Sequence, residues 1–371
     1  MYELSHNYIK IHPQTKKQIK NLSFDELLEF LIASGEEKYR ADQIMHEIFI
    51  NRVDNFSKIT QLPKQLRKFL DENFVLTSIG IDEKRISQDG SIKYLFSLDD
   101  GKSIEAVYMP WMNDDGELDR STLCISTMSG CPVGCAFCAT GTLGFKKNLT
   151  PSEIIDQVFL VEKDLNTKID NIVLMGMGEP LLNYENVVRA ITLLTDEKTK
   201  VISRRKITLS TSGIAPRIRQ LAQTKYPPKL AISLHATTNG VRNKLMPISK
   251  SFDLSSLMDA VEYYYRQTKM KITYEYILFD GINDTMEDAE RLRKIAQRVP
   301  SRINFIPFND ISFTKPQGIS LELKPSPQER VHNIAEYLRS HKVPVIVRDT
   351  YGRDIEAACG QLALSREQIK Q

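Results

Sequence analysis

A chain of 371 residues, 41% hydrophobic and 26% charged, has the balance of a folded globular protein and room for two or more domains, which excludes a chain disordered over long stretches. Its 50 basic and 47 acidic residues leave a net charge of +3, too even to argue for nucleic-acid binding from charge alone. No apolar run reaches the ~18 residues of a membrane span and the N-terminus lacks a secretory apolar core, so a cytoplasmic protein with reduced thiols and no membrane partner is expected.

Residues 1–80 read as a helical accessory domain. Ser23 with Glu26 three positions on is a capping-box pattern ahead of an apolar run. "KYRADQIMHEIFINRV" follows, with Ile44, Met45, Ile48 and Phe49 at helical spacing, and "LPKQLRKFLDENF" is a third candidate. Residues 81–116 read as short strands joined at "QDG" and "DDG", a hairpin-like β extension. From 117 to 352 strands alternate with helices. The strand candidates are "STLCIS", "NIVLMG", "KITLST", "KLAISLH", "KITYEYILF", "RINFIPF" and "VPVIVRDT"; between them fall the helical candidates "TPSEIIDQVFLVEKDL", "YENVVRAITLLT", "LSSLMDAVEYYYRQT", "MEDAERLRKIAQRV" and "PQERVHNIAEYLRSH". This alternation predicts βαβ units around a parallel sheet, closing into a full or partial α/β barrel with its site at the C-terminal strand ends. Residues 353–371 form a C-terminal segment beyond the last strand.

Five cysteines, an odd number in a reducing compartment, point to metal ligands or chemistry and not to a disulfide framework. Cys131, Cys135 and Cys138 stand as C-x3-C-x2-C in "CPVGCAFC", beside Gly130, Gly134 and Gly141, which free the backbone to wrap. A structural zinc site usually takes four protein ligands, and a fourth cysteine at matching spacing is missing. A cubane iron–sulfur cluster also normally uses four thiolates, so three leave one iron open, as a catalytic cluster requires. An incomplete zinc knuckle is the alternative.

With Phe137 immediately before the third cysteine, this stretch resembles the signature of the radical S-adenosylmethionine (SAM) superfamily. The resemblance implies a partial (β/α)6-type barrel and a [4Fe-4S] cluster held by Cys131, Cys135 and Cys138. It also implies a SAM molecule chelated at the open iron and cleaved by one electron to a radical. Phe137 would lie near the SAM adenine or simply pack. "MGMGEP" resembles the superfamily's acidic Gly-Gly-Glu motif, implying SAM contacts for Gly178 and Glu179. Matching stretches imply further contacts for Ser210 (with Ser212 as rival or as helix cap), for Ser233, Leu234 and His235 in "LAISLHA", and for Asn309 at the end of "INFIPFN".

The segments "STLCISTMSGC", "GMGEP", "SLHA", "INFIPFN" and "DIEAACGQLA" occur together and in order. In this they resemble the dual-specificity RNA methyltransferases that act on C2 of adenosine in 23S rRNA and tRNA. Adenine C2 is not nucleophilic, so direct methyl transfer from SAM fails there. The resemblance implies a detour using two SAM per turnover. Cys359 would carry the methyl group, Glu105 in "SIEAVYMPW" would accept the C2 proton, and Cys124 would close a transient disulfide with Cys359 to release RNA. A sister family acting on C8 shares these motifs; "GMGEP" with Pro180 and "RSTLCIS" look closer to the C2 enzymes. A flavodoxin or ferredoxin would donate electrons to a monomeric enzyme. Arg204–Lys206, Phe145–Lys147 and the basic residues Lys16, Lys17 and Lys20 are candidate RNA contacts or merely solvated faces.

Overall fold

The computed structural model describes residues 16–363. The C-terminal segment is therefore seen as far as Ala363, and the N-terminal stretch weighed as a signal lies outside the described residues.

Among the described residues, the accessory region carries three α-helices, α1 (Phe24–Ala33), α2 (Tyr39–Phe49) and α3 (Lys64–Asn73). The capping box is present: Ser23 Oγ accepts the Glu26 N–H at 3.1 Å, and the Glu26 carboxylate accepts the Ser23 N–H at 2.7 Å. Leu27 and Leu31 of α1 and Ile44, Ile48 and Phe49 of α2 are buried, as their 3–4-residue spacing predicts.

Lys20 departs from expectation. It is not a surface cation for RNA; it is buried, with Nζ 2.5 Å from the equally buried Asp156 and donating to the Leu76 carbonyl. Asp156 also accepts the Ser78 N–H at 2.7 Å. Burial pushes the Asp156 carboxyl up, and Lys20 pulls it back down. The pair latches the accessory region to the barrel helix α4 (Pro151–Leu165), which carries Asp156. Lys20→Met strands that carboxylate in the core, so we expect a loss of about 3–5 kcal/mol in urea unfolding; wild-type stability in the variant would mean that Asp156 takes up a proton at little cost.

One ten-stranded sheet runs in chain order from edge to edge. Its first three strands, β1 (Ile79–Ile86), β2 (Ile92–Leu98) and β3 (Ser103–Met112), are an antiparallel meander that joins β4 (Leu118–Cys124). The predicted β extension is thus one flank of the barrel sheet itself. From β4 onward every pairing is parallel, through β5 (Asn171–Leu174), β6 (Ile207–Thr211), β7 (Lys229–Ser233), β8 (Ile272–Ile277), β9 (Ser301–Ile306) and β10 (Val345–Val347). All seven predicted barrel strands are present, and the sheet remains open between β10 and β1: the expected partial barrel is borne out.

The predicted helices α5 (Tyr184–Thr195), α8 (Leu254–Thr268), α9 (Met286–Ala296) and α10 (Gln328–Ser340) cross between strands, as α4 does. Helices cover one face of the sheet and barrel side chains fill the other, so β8 is buried at every position. Two seven-residue helices, α6 (Ala215–Leu221) and α7 (Asn239–Leu245), were not predicted: "GIAPRIRQL" and "TTNGVRNKL" are too short and too broken by Gly and Pro for a periodic signal. No helix among the described residues is long and apolar enough to cross a membrane.

Candidate active site

The cysteine loop hangs from a short antiparallel pair, Met128–Gly130 against Phe145–Asn148, which the sequence reading missed. Gly130 lies at φ 73°, where a Cβ would fall 1.9 Å from the Gly144 oxygen, so only glycine allows the strands this close. The loop is closed by hydrogen bonds from the Cys131 N–H to the Gly144 carbonyl (2.9 Å) and from the Ala136 N–H to the Leu245 carbonyl at the end of α7 (2.9 Å).

Cys131, Cys135 and Cys138 are all free thiols and line one cavity at the C-terminal strand ends. Burial pushes all three thiols up, Cys131 to about 12, and the charges of Cys131 and Cys138 add to the rise at Cys135. Three crowded thiolates are costly unless a positive centre neutralises them. Among the described residues, no three His, Cys, Asp or Glu side chains converge on a single ion. A cubane instead takes its thiolates on separate irons, so the donor set fits a [4Fe-4S] cluster better than one zinc.

Around this cavity stand the strand-end groups. Gly178, at φ 103°, passes so close to Met128 that a Cβ would lie 2.6 Å from the Met128 Cβ. Glu179 follows, buried, its carboxylate accepting the N–H groups of Leu181 (3.0 Å) and Ser212 (2.6 Å). Burial pushes that carboxyl up and the backbone donors pull it down. Ser210 and Ser233 lie across adjacent strands with their hydroxyls 3.4 Å apart. His235 stands at φ 51°, and its Nδ1 accepts the Ile277 N–H at 3.1 Å. Burial pushes the ring down to about 3, so it is neutral, with its proton on Nε2. Its ring meets Phe137 edge-on at 4.6 Å between centroids.

Gly178, Glu179, Ser210, Ser233 and His235 therefore share the cavity with the three cysteines, as does the rival Ser212, whose buried Oγ has no hydrogen-bond partner among the described residues. Leu234 is behind the wall: its side chain is fully buried and its N–H donates to the Glu275 carbonyl. Asn309 faces a neighbouring cavity, and its amide donates to the Cys359 carbonyl at 3.1 Å.

Two charged residues here escaped the sequence reading. Arg242, fully buried on α7, donates to the carbonyls of Ser212 (2.5 Å), Ser233 (3.2 Å) and Leu234 (3.2 Å). Burial pushes its guanidinium down to about 10, opposed by the charges of Cys135 and Glu179. Glu275 enters the cavity from β8, held by the Asn304 amide at 3.0 Å. Glu275 reads only as one residue of a strand, and Arg242 falls in a stretch with no periodic signal.

Cys359 lines both cavities. It is exposed, and the surface it offers opens into them. Its segment is tied down by the Ala139 N–H to the Gly360 carbonyl (2.7 Å), the Thr140 hydroxyl to the Leu362 carbonyl (2.7 Å) and the Gln361 amide to the Asp310 carbonyl (2.9 Å). Cys124, at the end of β4, lines the second cavity with it. Burial pushes the Cys124 thiol up to about 12, aided by the charge of Cys359; Cys359 opens only into the cavities, whose walls desolvate it and raise it to about 11, and Arg348 pulls both down. Arg348 is a third group that sequence reasoning missed.

Val107 of β3 pairs in register with Cys124, and Glu105, two residues earlier, shares its face. Glu105 is buried, 3.3 Å from the buried Lys93, which also donates to the Glu356 carbonyl at 3.1 Å. Beyond that ion pair, neither Glu105 oxygen has a partner among the described residues. Lys93 thus ties the predicted proton acceptor to the segment that carries Cys359.

The basic stretches are less central. Lys147 is paired with Glu153 (2.9 Å) and Asp100 (3.1 Å). Arg204–Lys206 precedes β6, at the opposite end of the parallel strands from the cavity, with Lys206 3.4 Å from Asp170. Lys16 is 3.9 Å from Asp71.

Comparison with known proteins shows the family. Residues 125–293 match the family model of the radical SAM superfamily, and residues 17–76 match that of the ribosomal RNA large subunit methyltransferase N-terminal domain. A Thermotoga neapolitana protein described as a probable dual-specificity RNA methyltransferase RlmN is 42% identical over 95% of this chain and 98% of its own. The Geobacter sulfurreducens dual-specificity RNA methyltransferase RlmN is 41% identical over 96% of this chain and 94% of its own. Among solved structures, a radical SAM methyltransferase from Sphaerobacter thermophilus superposes with a TM-score of 0.84 at 36% identity, covering 93% of this chain and 99% of that one.

Proposed function

From the premise that this chain belongs to the dual-specificity RNA methyltransferase RlmN family, within the radical SAM superfamily, we propose that it methylates C2 of adenosine in 23S rRNA and in tRNA through a methylated Cys359. The observation that carries this reading is the position of Cys359 on the wall shared by two cavities, one lined by the cysteine loop and the other by Cys124.

Cys131, Cys135 and Cys138 would hold the cluster. Glu179 offers a carboxylate to the amino group of SAM, with Gly178 letting the chain pass close. Ser210, Ser233 and the Nε2–H of His235 supply hydroxyl and ring donors to the same ligand. When bound, the cluster and SAM supply a methyl group, an electron and the radical that removes hydrogen from carbon. Leu234 acts from behind, through its backbone, and Asn309 positions the Cys359 carbonyl.

The chain's own chemistry then proceeds in order. The Cys359 thiolate takes a methyl group. Loss of one hydrogen from that methyl leaves a carbon radical on sulfur, which adds to the electron-poor C2 and joins RNA to protein. The radical adduct gives up one electron, which the cluster left oxidised by SAM cleavage would accept, and loses its C2 proton to Glu105. The Cys124 thiolate attacks the Cys359 sulfur; the C–S electron pair passes to carbon, which gains a proton and leaves as the methyl group. The disulfide between Cys124 and Cys359 is reduced by cellular thiols before the next cycle. Two SAM are consumed per turnover, by a monomer in the cytoplasm supplied with electrons by a flavodoxin or ferredoxin.

The test is direct. Reconstituted protein is incubated with SAM, a reductant and 23S rRNA fragments or tRNA, and the RNA is digested to nucleosides. We expect 2-methyladenosine. Finding 8-methyladenosine instead would place the chain with the C8 enzymes.

A further inference from the structure

We propose that Trp111, Arg120 and Tyr351 form a stacking clamp at the mouth of the Cys124–Cys359 cavity, which grips an unstacked nucleobase flanking the target adenosine. The inference rests on the RNA-methyltransferase reading and adds a subsite to it.

The clamp follows from strand register. On β3 the side chains of Glu105, Val107, Met109 and Trp111 share one face, because alternate residues of a strand do. On β4 their in-register neighbours are Cys124 opposite Val107, Thr122 opposite Met109 and Arg120 opposite Trp111. A single two-strand stripe thus descends from an exposed rim to the buried Glu105 and the thiol of Cys124. Val107 and Met109 line the cavity between these levels. Trp111 sits at the top, half-buried, with the exposed Arg120 guanidinium 4.7 Å from its ring centroid.

The third member comes from the far end of the chain. Tyr351, eight residues before Cys359, lines the same cavity and places its ring 4.9 Å from Trp111 at an interplanar angle of 56°. At that tilt the two rings are not parallel-stacked, so they form an open-sided aromatic pair with a cation on its flank. Unpaired RNA bases are recognised by such groups, stacking on aromatic faces and on guanidinium planes without sequence demand. An adenosine entering the cavity must leave its own stack, and its neighbour on the strand then loses a stacking partner. The clamp replaces that partner.

Trp111 is the only tryptophan of the chain, so its fluorescence reports the clamp directly. The probe is a synthetic hairpin RNA with one unpaired adenosine in its loop, in two versions: intact, and with an abasic nucleotide beside that adenosine. The intact RNA should quench Trp111 on binding to the wild-type chain, and the abasic version should bind more weakly. Trp111→Ala should weaken binding of the intact RNA roughly 5- to 100-fold, the scale of one base–aromatic stack. Trp111→Phe, which keeps a stacking face and covers any folding defect of the alanine variant, should restore most of it. In Trp111→Ala, removing the flanking base should cost nothing further. Equal penalties for the abasic RNA in wild type and Trp111→Ala, or wild-type affinity in Trp111→Ala, would overturn the clamp while leaving the methyltransferase reading intact. A wild-type chain that binds neither RNA would remove both.

Discussion

Replacing Cys124 with alanine is expected to leave RNA covalently attached to the protein. The variant keeps Cys359, Glu105 and the whole first cavity, so every bond-forming step up to the adduct remains available. It lacks only the thiol that shares the second cavity with Cys359. Among the described residues the other three cysteines belong to the loop of the first cavity, so no thiol replaces it there. Release of methylated RNA should fall on the order of 10⁴-fold, the scale on which loss of a nucleophile is felt. A slow-migrating RNA–protein band should appear on denaturing gels and disappear on nuclease treatment. Normal release without such a band would remove Cys124 from the reaction.

The wild type adds a pH signature to this result. Burial disfavours the Cys124 thiolate and holds its pKa near about 12, well above neutrality. The thiolate fraction is then small at neutral pH and grows about tenfold per unit. In the adduct Cys359 is a thioether, so its charge no longer opposes Cys124; burial remains, and Arg348 still favours the thiolate. Release from a preformed adduct should therefore accelerate steeply from pH 7 to 9. A flat profile would mean that thiol attack is not the slow part of release.

Cys359→Ser should abolish RNA methylation by a comparable factor, for a different reason. Serine has the same shape in a slightly smaller volume and leaves the anchoring bonds at the Cys359 carbonyl, Gly360 and Leu362 intact, so the segment stays in place. Its hydroxyl is a far weaker acceptor of a methyl group than a thiolate, and its C–O bond has no disulfide exchange to break it. Mass spectrometry of the purified wild type should find a methyl group on Cys359, and neither methylated protein nor adduct should form in the variant. The visible absorbance of a reconstituted cluster should persist, because the cluster's cysteines are untouched. Methylated RNA from Cys359→Ser would end the thioether route.

The parts of the site that the sequence revealed are those whose signal is local. Three cysteines within one loop are legible at any tertiary position. A Gly-Glu pair after an apolar strand and hydroxyls at alternating positions near a strand end are legible too. Lys93, Arg242, Glu275 and Arg348 carry no such mark. Lys93, Glu275 and Arg348 read as ordinary strand residues and Arg242 as part of an unpatterned loop, and each joins the candidate site only through what the fold places opposite it. Lys20 shows the same limit in reverse, since a basic residue near the N-terminus reads as solvated until Asp156 is seen buried beside it.

By itself the sequence determined the seven barrel strands, the longer helices between them and the thiol set, because hydrophobic periodicity and loop chemistry are written within a dozen neighbouring residues. Only the tertiary structure decided that Cys359 meets Cys124 and the cysteine loop at one wall, that Glu105 is buried against Lys93, and that Tyr351 reaches Trp111. Those contacts join distant stretches through sheet register and the docking of the last segment, and the free energy that selects them comes from packing summed over the whole barrel, which no short window of sequence contains.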